Sequence, residues 1–324
     1  MEINKDEVFF AELYAKMYRI RRFEEEVFEF YKRGLMPGLA HLYIGEEAVA
    51  VGACAALKEN DFISSTHRGH GHMIARGAKL DKMMAEILGK KTGYCHGKGG
   101  SMHIMDMSIG ILGANGIVGG GIPIATGAGY SCKYRGTDQV VLCFFGDGAS
   151  NQGTFHESIN MAAAWGLPVV YIIENNLYGI TVNIDRVTKE HNLAKRAAAY
   201  GIPGHTVDGN DVLSVYETVL TAVEHARKGN GPSLIECKTY RQHGHNGGDN
   251  GAYRAEGELE YWKNRDPLKL FREKAYISSG MLEDIEARVE QEIDHACSFA
   301  VESPYPSDDE LFKGIFCEIN GGTL

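Results

Sequence analysis

Two short loops hold the residues best suited to chemistry. One apolar run, Val140 to Phe145, ends in Gly146-Asp147-Gly148-Ala149, and a later one ends in Glu174-Asn175-Asn176-Leu177-Tyr178-Gly179. Glycine at a strand-to-helix corner lets backbone N–H groups come close to a phosphate, and the following helix start adds partial positive charge. Asp147 would repel a bare phosphate unless a divalent cation lay between them. The loops therefore point to a metal-bridged diphosphate, with Asn176 giving another oxygen to a hard cation such as Mg²⁺.

Nucleotide readings fit less well. A dinucleotide fingerprint needs a third glycine three residues after the second, and position 151 is Asn. A ribose-binding acid should follow about 20 residues on, but Gly166-Leu167-Pro168-Val169 carries none, so an NAD- or flavin-linked oxidoreductase is disfavoured. The run Gly93-Tyr94-Cys95-His96-Gly97-Lys98-Gly99 is one spacer short of a P-loop and lacks Ser or Thr after the Lys. A zinc site at His67, His70 and His72 would need converging ligands, which alternate positions in a loop do not supply.

Composition narrows the class. A chain of 324 residues, 44% hydrophobic, can bury one large or two ordinary cores. A net charge of −10 without a basic stripe argues against nucleic acid or acidic membranes as partners. Cysteines 54, 95, 132, 143, 237, 297 and 317 are odd in number, form no CxxC and fit a reducing cytoplasm. Met1 to Glu7 shows no export signal, and no stretch reaches the roughly 18–20 apolar residues of a membrane span.

The elements that must position the two loops follow from periodicity. Phe9, Leu13, Met17, Ile20, Phe23, Val27 and Phe30 recur at helical spacing over 6–33, with Gly34 as a stop. Helices are expected at 45–57, 80–88 and 122–134, with a short strand at 62–65. The Gly- and Ala-rich 122–134 segment suits close backbone approach, either across an interface or within one core. Strands at 138–145, 168–174 and 232–240 alternate with helices at 150–165 and 211–228, the rhythm of a doubly wound parallel sheet. Ligands in such sheets lie at the carboxyl ends of strands, where both loops fall. Residues 1–265 read as the main domain. Residues 266–324 read as a C-terminal extension with helices at 267–275 and about 281–300.

The paired GDG and NN motifs, separated by residues 149 to 174, resemble the signature of thiamin-diphosphate enzymes. The match runs from about residue 17 to 275 and is similar to the α subunit of the decarboxylating first component of 2-oxo-acid and acetoin dehydrogenase complexes. It includes His41-Leu42-Tyr43-Ile44-Gly45-Glu46-Glu47-Ala48, Ser65 to His72, Gly97 to His103, Gly113 to Gly119 and Tyr240 to His245. The resemblance implies the thiamin-diphosphate-binding fold of the diphosphate-binding type. It also implies Asp147, the Asn176 side chain and the Tyr178 main-chain oxygen as Mg²⁺ ligands. Gly148, Ala149, Arg68 and His245 would contact the diphosphate, while Gly116 and Val118 would contact the aminopyrimidine and support the bent cofactor. His41, His67 and His245 would line the channel to the reactive carbon, His67 also beside the cofactor, as proton donors and acceptors.

The same resemblance implies a β subunit in an α₂β₂ assembly, supplying the Glu that activates the cofactor, and a lipoamide acyltransferase core as acceptor. Two departures bear on the substrate. His67 stands where mammalian pyruvate enzymes have Tyr, and Asn246 stands where they carry a regulatory Ser. Asn246 cannot be phosphorylated. With His67, the Ser65 to His72 block resembles the acetoin dehydrogenases more than the pyruvate branch, so the preference expected is acetoin, then pyruvate, then branched-chain 2-oxo acids, a lean of a few kcal/mol at most from about one pocket residue. A non-catalytic scaffold subunit is the reading against which the intact metal-site residues stand.

Overall fold

The computed structural model describes residues 6–313. Met1 to Lys5 and Cys317, on which part of the expectations above falls, lie outside the described residues. Among the described residues there are seven strands: β1 (Phe62–Ser64), β2 (Val141–Gly146), β3 (Val169–Asn175), β4 (Tyr178–Gly179), β5 (Val182–Asn183), β6 (Gly204–Asp208) and β7 (Ser233–Lys238). The helices are α1 (Glu7–Lys32), α2 (Glu47–Ala55), α3 (His70–Ala75), α4 (Leu80–Ile87), α5 (Gly121–Arg135), α6 (Gly153–Trp165), α7 (Val212–Arg227), α8 (Glu258–Lys263), α9 (Pro267–Glu273) and α10 (Ser279–Glu302).

Five strands pair in the order β1-β2-β3-β7-β6, all parallel, and β4 with β5 forms a small hairpin. Alternation along β2 divides two cores. Leu142 and Phe144 pack with α1, α2, α4 and α7, whereas Val141, Cys143 and Phe145 pack with α5 and α6. Helices on both faces explain the near-continuous apolar strands.

α1 forms as its spacing demands. Asp6 caps it by accepting from Phe9 N at 3.0 Å, Leu13, Met17, Ile20, Phe23, Val27 and Phe30 are buried, and Gly34 follows at φ +68°. Each such large side chain contributes about 1.5–3 kcal/mol on burial. The small-residue face of α5 serves core packing: a Cβ on Gly129 would lie 2.4 Å from Val169 Cγ2. That close approach fixes how near α5 sits to the sheet.

α10 buries Ile285, Val289, Ile293, Ala296 and Ala300 in the same core as α1 and α4. The six described cysteines are free. Among the described residues no helix is long and apolar enough to cross a membrane.

Besides the small β4–β5 hairpin and α8, which the sequence reading did not include, two elements differ from it. Gly204–Asp208 is an edge strand paired with β7 on one side, and its first three residues are exposed. His70–Ala75, read as loop, is a short helix with every residue buried.

Candidate active site

The carboxyl ends of three neighbouring strands make one crevice. Gly146 is in register with Glu174, so Asp147 and the Asn175-Asn176 pair leave the sheet at nearly the same level. Ser65 to Arg68 join them from the end of β1. The crevice is a cavity of about 310 Å³ whose walls include His67, Arg68, Val118, Asp147, Gly148, Ala149, Asn176, Tyr178 and His245. Gly116 lies between wall residues Asn115 and Ile117 without lining the cavity itself, and His41 stands just behind it, touching His67 and His245.

Asp147 opens a 3₁₀ turn over Asp147–Asn151, tightened by Ser150 Oγ donating to the Asp147 carbonyl at 2.7 Å. Its Oδ2 is buried and has no hydrogen-bond partner among the described residues. Burial pushes the carboxyl up to about 7. An orphaned, desolvated carboxylate oxygen is costly unless something cationic meets it. Gly148 packs against the backbone of the facing loop: a Cβ there would lie 3.3 Å from Gly179 Cα. Bare backbone from two loops thus converges beside the acid.

The facing loop is held in a demanding conformation. Leu177 at φ +74° and Ile180 at φ +55° are both left-handed without being glycine, a strain of about 1–3 kcal/mol each that persists only where the surroundings impose it. Between them Tyr178 donates its hydroxyl to Glu258 at 3.0 Å, and Tyr240 donates to the other oxygen of Glu258 at 2.7 Å. The Asn176 side chain accepts from Tyr178 N at 3.4 Å and donates to both oxygens of Glu46 at 3.2 Å.

Arg68 is almost fully buried. It donates to the carbonyls of Leu42 at 2.6 Å and His245 at 3.2 Å and stands 3.7 Å from Glu46. Burial, the leading cause, lowers its guanidinium to about 10, against the opposing pull of Glu46. The three channel histidines come together: ring centroids are 5.0 Å apart for His41–His67, 5.0 Å for His41–His245 and 5.6 Å for His67–His245. Burial first, then the Arg68 charge, lowers His41 to about 3, His67 to about 2 and His245 to about 4. All three imidazoles are neutral at physiological pH.

His70 and His72 do not join His67. His70 meets Glu24 at 3.0 Å, and His72 bridges Ser65 Oγ at 2.8 Å and Glu174 at 2.9 Å, inside the protein. The glycine-rich run at 93–100 is also accounted for: the Glu86 carboxylate accepts from the backbone of Cys95, Gly97, Gly99 and Gly100 at 2.8–3.1 Å. Its N–H groups already cradle an anion of the chain itself.

Three charged wall residues escaped the sequence reading: Glu46, Glu174 and Arg241. Glu46 was visible as a charge at the start of the small, apolar segment 45–57, and Arg241 lay inside the quoted Tyr240 to His245 block. Arg241 is buried and donates to the Ile180 carbonyl at 2.9 Å and to Tyr253 Oη at 2.7 Å. It thereby ties β7's end to the strained loop. Tyr253 in turn donates to Asp249 at 2.8 Å, and Asp249 accepts from His245 N at 2.6 Å, so residues 245–253 fold back on the crevice.

Comparison with known proteins gives the same answer from sequence alone. The chain matches the family described as "Dehydrogenase E1 component" over residues 15–308. It is 52% identical over 317 residues to the alpha subunit of acetoin:2,6-dichlorophenolindophenol oxidoreductase of Bacillus subtilis, covering 96% of this chain and 95% of that one. The corresponding subunit of Cupriavidus necator is 48% identical over 310 residues, covering 94% and 93%. The pyruvate dehydrogenase E1 component subunit alpha of Rhizobium meliloti is 41% identical over 307 residues, covering 93% and 88%. With its parallel sheet, its acid-and-amide crevice and this match across nearly its whole length, the chain belongs to the dehydrogenase E1 component family.

Proposed function

We propose that this chain is the α subunit of a thiamin-diphosphate-dependent oxidoreductase component that cleaves acetoin, with pyruvate as the second substrate and branched-chain 2-oxo acids third. The observation that carries the cofactor reading is the buried, unpartnered Asp147 oxygen, set at one sheet edge with Asn176 and the bare backbone of Gly148 and Gly179. That donor set is all oxygen and suits Mg²⁺ bridging a diphosphate.

In this reading Asp147, the Asn176 side chain and the Tyr178 carbonyl hold Mg²⁺. Gly148, Ala149, Arg68 and His245 hold the diphosphate, and the loop at Gly116 and Val118 supports the pyrimidine half. When bound, the cofactor supplies the nucleophilic thiazolium carbon and the electron sink. His41, His67 and His245 orient the substrate and exchange protons with its oxygens. Arg68 and Arg241 share the crevice, but Arg68 is turned to backbone carbonyls and Glu46, and Arg241 to the Ile180 carbonyl and Tyr253, so the neutral rings that face the substrate suit an uncharged hydroxy ketone.

A β subunit supplies the activating Glu in an α₂β₂ assembly, and a lipoamide acyltransferase core takes the product fragment. Residues 266–313, the described part of the C-terminal extension, carry α9 and α10 onto the core of the α chain. The exposed apolar Ile117 and Val118 in the crevice wall support coverage by another chain. The test is steady-state turnover of the α chain alone and reconstituted with its β partner, on acetoin and on pyruvate. Turnover only in the reconstituted pair, with higher kcat/KM on acetoin, is expected. Full activity from α alone, or a preference for pyruvate, overturns the corresponding part.

A further inference from the structure

We propose that His41, His67 and His245 form a three-imidazole site for a borderline divalent metal ion, Zn²⁺ or Co²⁺, distinct from the oxygen-lined cation site in the same crevice, and that its occupancy blocks the substrate. One ring nitrogen from each of the three lies within 4.8 Å of the other two. The Nδ1 atoms of His41 and His245 are buried and have no hydrogen-bond partner among the described residues. Two buried ring nitrogens without a protein partner, in one cluster of three, are free to ligate a metal.

Geometry is within reach of closure. Nitrogens around tetrahedral Zn²⁺ sit about 2.0–2.1 Å from the metal, hence roughly 3.4 Å apart, so the rings must close by an ångström or so through small side-chain rotations. The rings are also in the right state, since metal binding needs a neutral imidazole, and burial together with Arg68 keeps all three unprotonated.

The chief opposing effect is charge. Arg68 and Arg241 lie close enough to depress all three histidines, and they repel any dication. Asp249, whose carboxylate sits against His245 N, offsets part of this. The repulsion acts on Mg²⁺ and Zn²⁺ alike and therefore does not sort them. Ligand softness does: imidazole nitrogens favour Zn²⁺, Co²⁺ and Cu²⁺, whereas carboxylate and carbonyl oxygens favour Mg²⁺. The imidazole site, whose His67 and His245 belong to the wall of the same crevice, and the oxygen-lined site thus have opposite preferences. With three imidazoles engaged, the histidines can no longer exchange protons with a substrate. That inhibitory consequence rests on the proposed function, whereas the metal site itself rests only on the geometry.

The experiment adds Co²⁺ to the reconstituted α/β complex saturated with Mg²⁺ and thiamin diphosphate, and records visible d–d absorption and the stoichiometry of binding. One Co²⁺ per α chain is expected, with the intense bands of a low-coordinate nitrogen site, displaced by Zn²⁺. His41→Gln, His67→Gln and His245→Gln should each weaken Co²⁺ binding by more than about tenfold, with thermal unfolding as the control for folding and His67→Asn as a second variant at that position. His191→Gln, on the exposed 185–191 turn, should leave the bands intact. Zn²⁺ should raise the KM for the carbonyl substrate, raise that for thiamin diphosphate less because only His67 and His245 of the three also face the cofactor, and be reversed by a chelator. Bands that survive any of the three folded Gln variants, or that vanish in Asp147→Ala instead, overturn the site. Intact bands without turnover on either substrate would strike the functional reading and leave the metal site standing.

Discussion

Asn176 gives its side-chain N–H₂ to both oxygens of Glu46, at 3.2 Å each, and Glu46 stands 3.7 Å from Arg68. One buried carboxyl thereby joins the amide assigned to the metal and the guanidinium assigned to the phosphate. These partners favour the orientation of Asn176 that turns its nitrogen to Glu46 and leaves its oxygen for Tyr178 N and a cation.

Removing that acceptor should be felt at the cofactor. Glu46→Leu is expected to weaken Mg²⁺-dependent thiamin diphosphate binding by about 10- to 100-fold, the usual scale for a partner that orients a metal ligand. Glu46→Gln, which still presents an amide oxygen to Asn176, should retain most of the affinity. Quenching of tryptophan fluorescence on cofactor addition reads both, and equal affinities for wild type and the Leu variant would refute the positioning role.

Cofactor capture should depend on pH through Asp147. Its carboxyl is pushed up to about 7 by burial, so below that pH a proton occupies the position the cation needs. Apparent affinity should fall by about tenfold per pH unit below 7 and level off above it. Calorimetry at pH 6.5 in two buffers of different ionisation enthalpy should report proton release on binding. A flat profile from pH 6 to 8 would contradict the assignment.

The histidine cluster makes a separate prediction about stability. His41, His67 and His245 sit at about 3, 2 and 4 in the folded chain, below the ordinary value near 6.5. Between those limits the unfolded chain binds more protons, so the folded state is favoured above pH 6.5 and loses ground as pH falls toward 4. This contribution makes the unfolding midpoint drop as pH is lowered from 7 to 5, and Asp147 and Glu46, whose carboxyls burial pushes up to about 7 and about 8, offset part of the drop because the folded chain binds their protons more tightly. In His67→Phe, which removes one of the three titrating groups, the drop should be shallower.

Glu86 is expected to be a stability residue with little bearing on chemistry. Its carboxylate satisfies four backbone N–H groups of the 95–100 loop, and it is fully buried. Glu86→Ala should cost about 3 kcal/mol or more, as buried donors lose their acceptor. Urea unfolding measures this, and cofactor affinity of the folded fraction should be unchanged.

Much of this was legible in the sequence because it is local. The strands ending at Gly146 and Asn175, the helices α1, α6, α7 and α10, and the placement of both loops at strand ends follow from periodicity and the rules of parallel sheets. β6 was not legible: Gly204-His205-Thr206-Val207-Asp208 is an exposed edge strand without an apolar run, and its pairing with β7 is set by tertiary contact. α3 is too short to show a period, so the divergence of His70 and His72 from His67 emerged only in three dimensions. Glu46, Glu174 and Arg241 are charged residues whose burial depends on partners far along the chain. No local pattern announces such a residue. The family motifs singled out His41, His67 and His245, but only the fold brings their rings into contact.

The central claim is that an acid and an amide on adjoining strand ends hold a diphosphate through a cation. Its most direct test is titration of thiamin diphosphate into the reconstituted complex, with Mg²⁺ and with a chelator, for wild type and Asp147→Ala. The account predicts tight binding only for wild type with Mg²⁺, and a loss of about 100-fold or more in the other three conditions, the scale of several kcal/mol for an uncompensated charge. Equal affinity in Asp147→Ala, or undiminished binding without Mg²⁺, would contradict it.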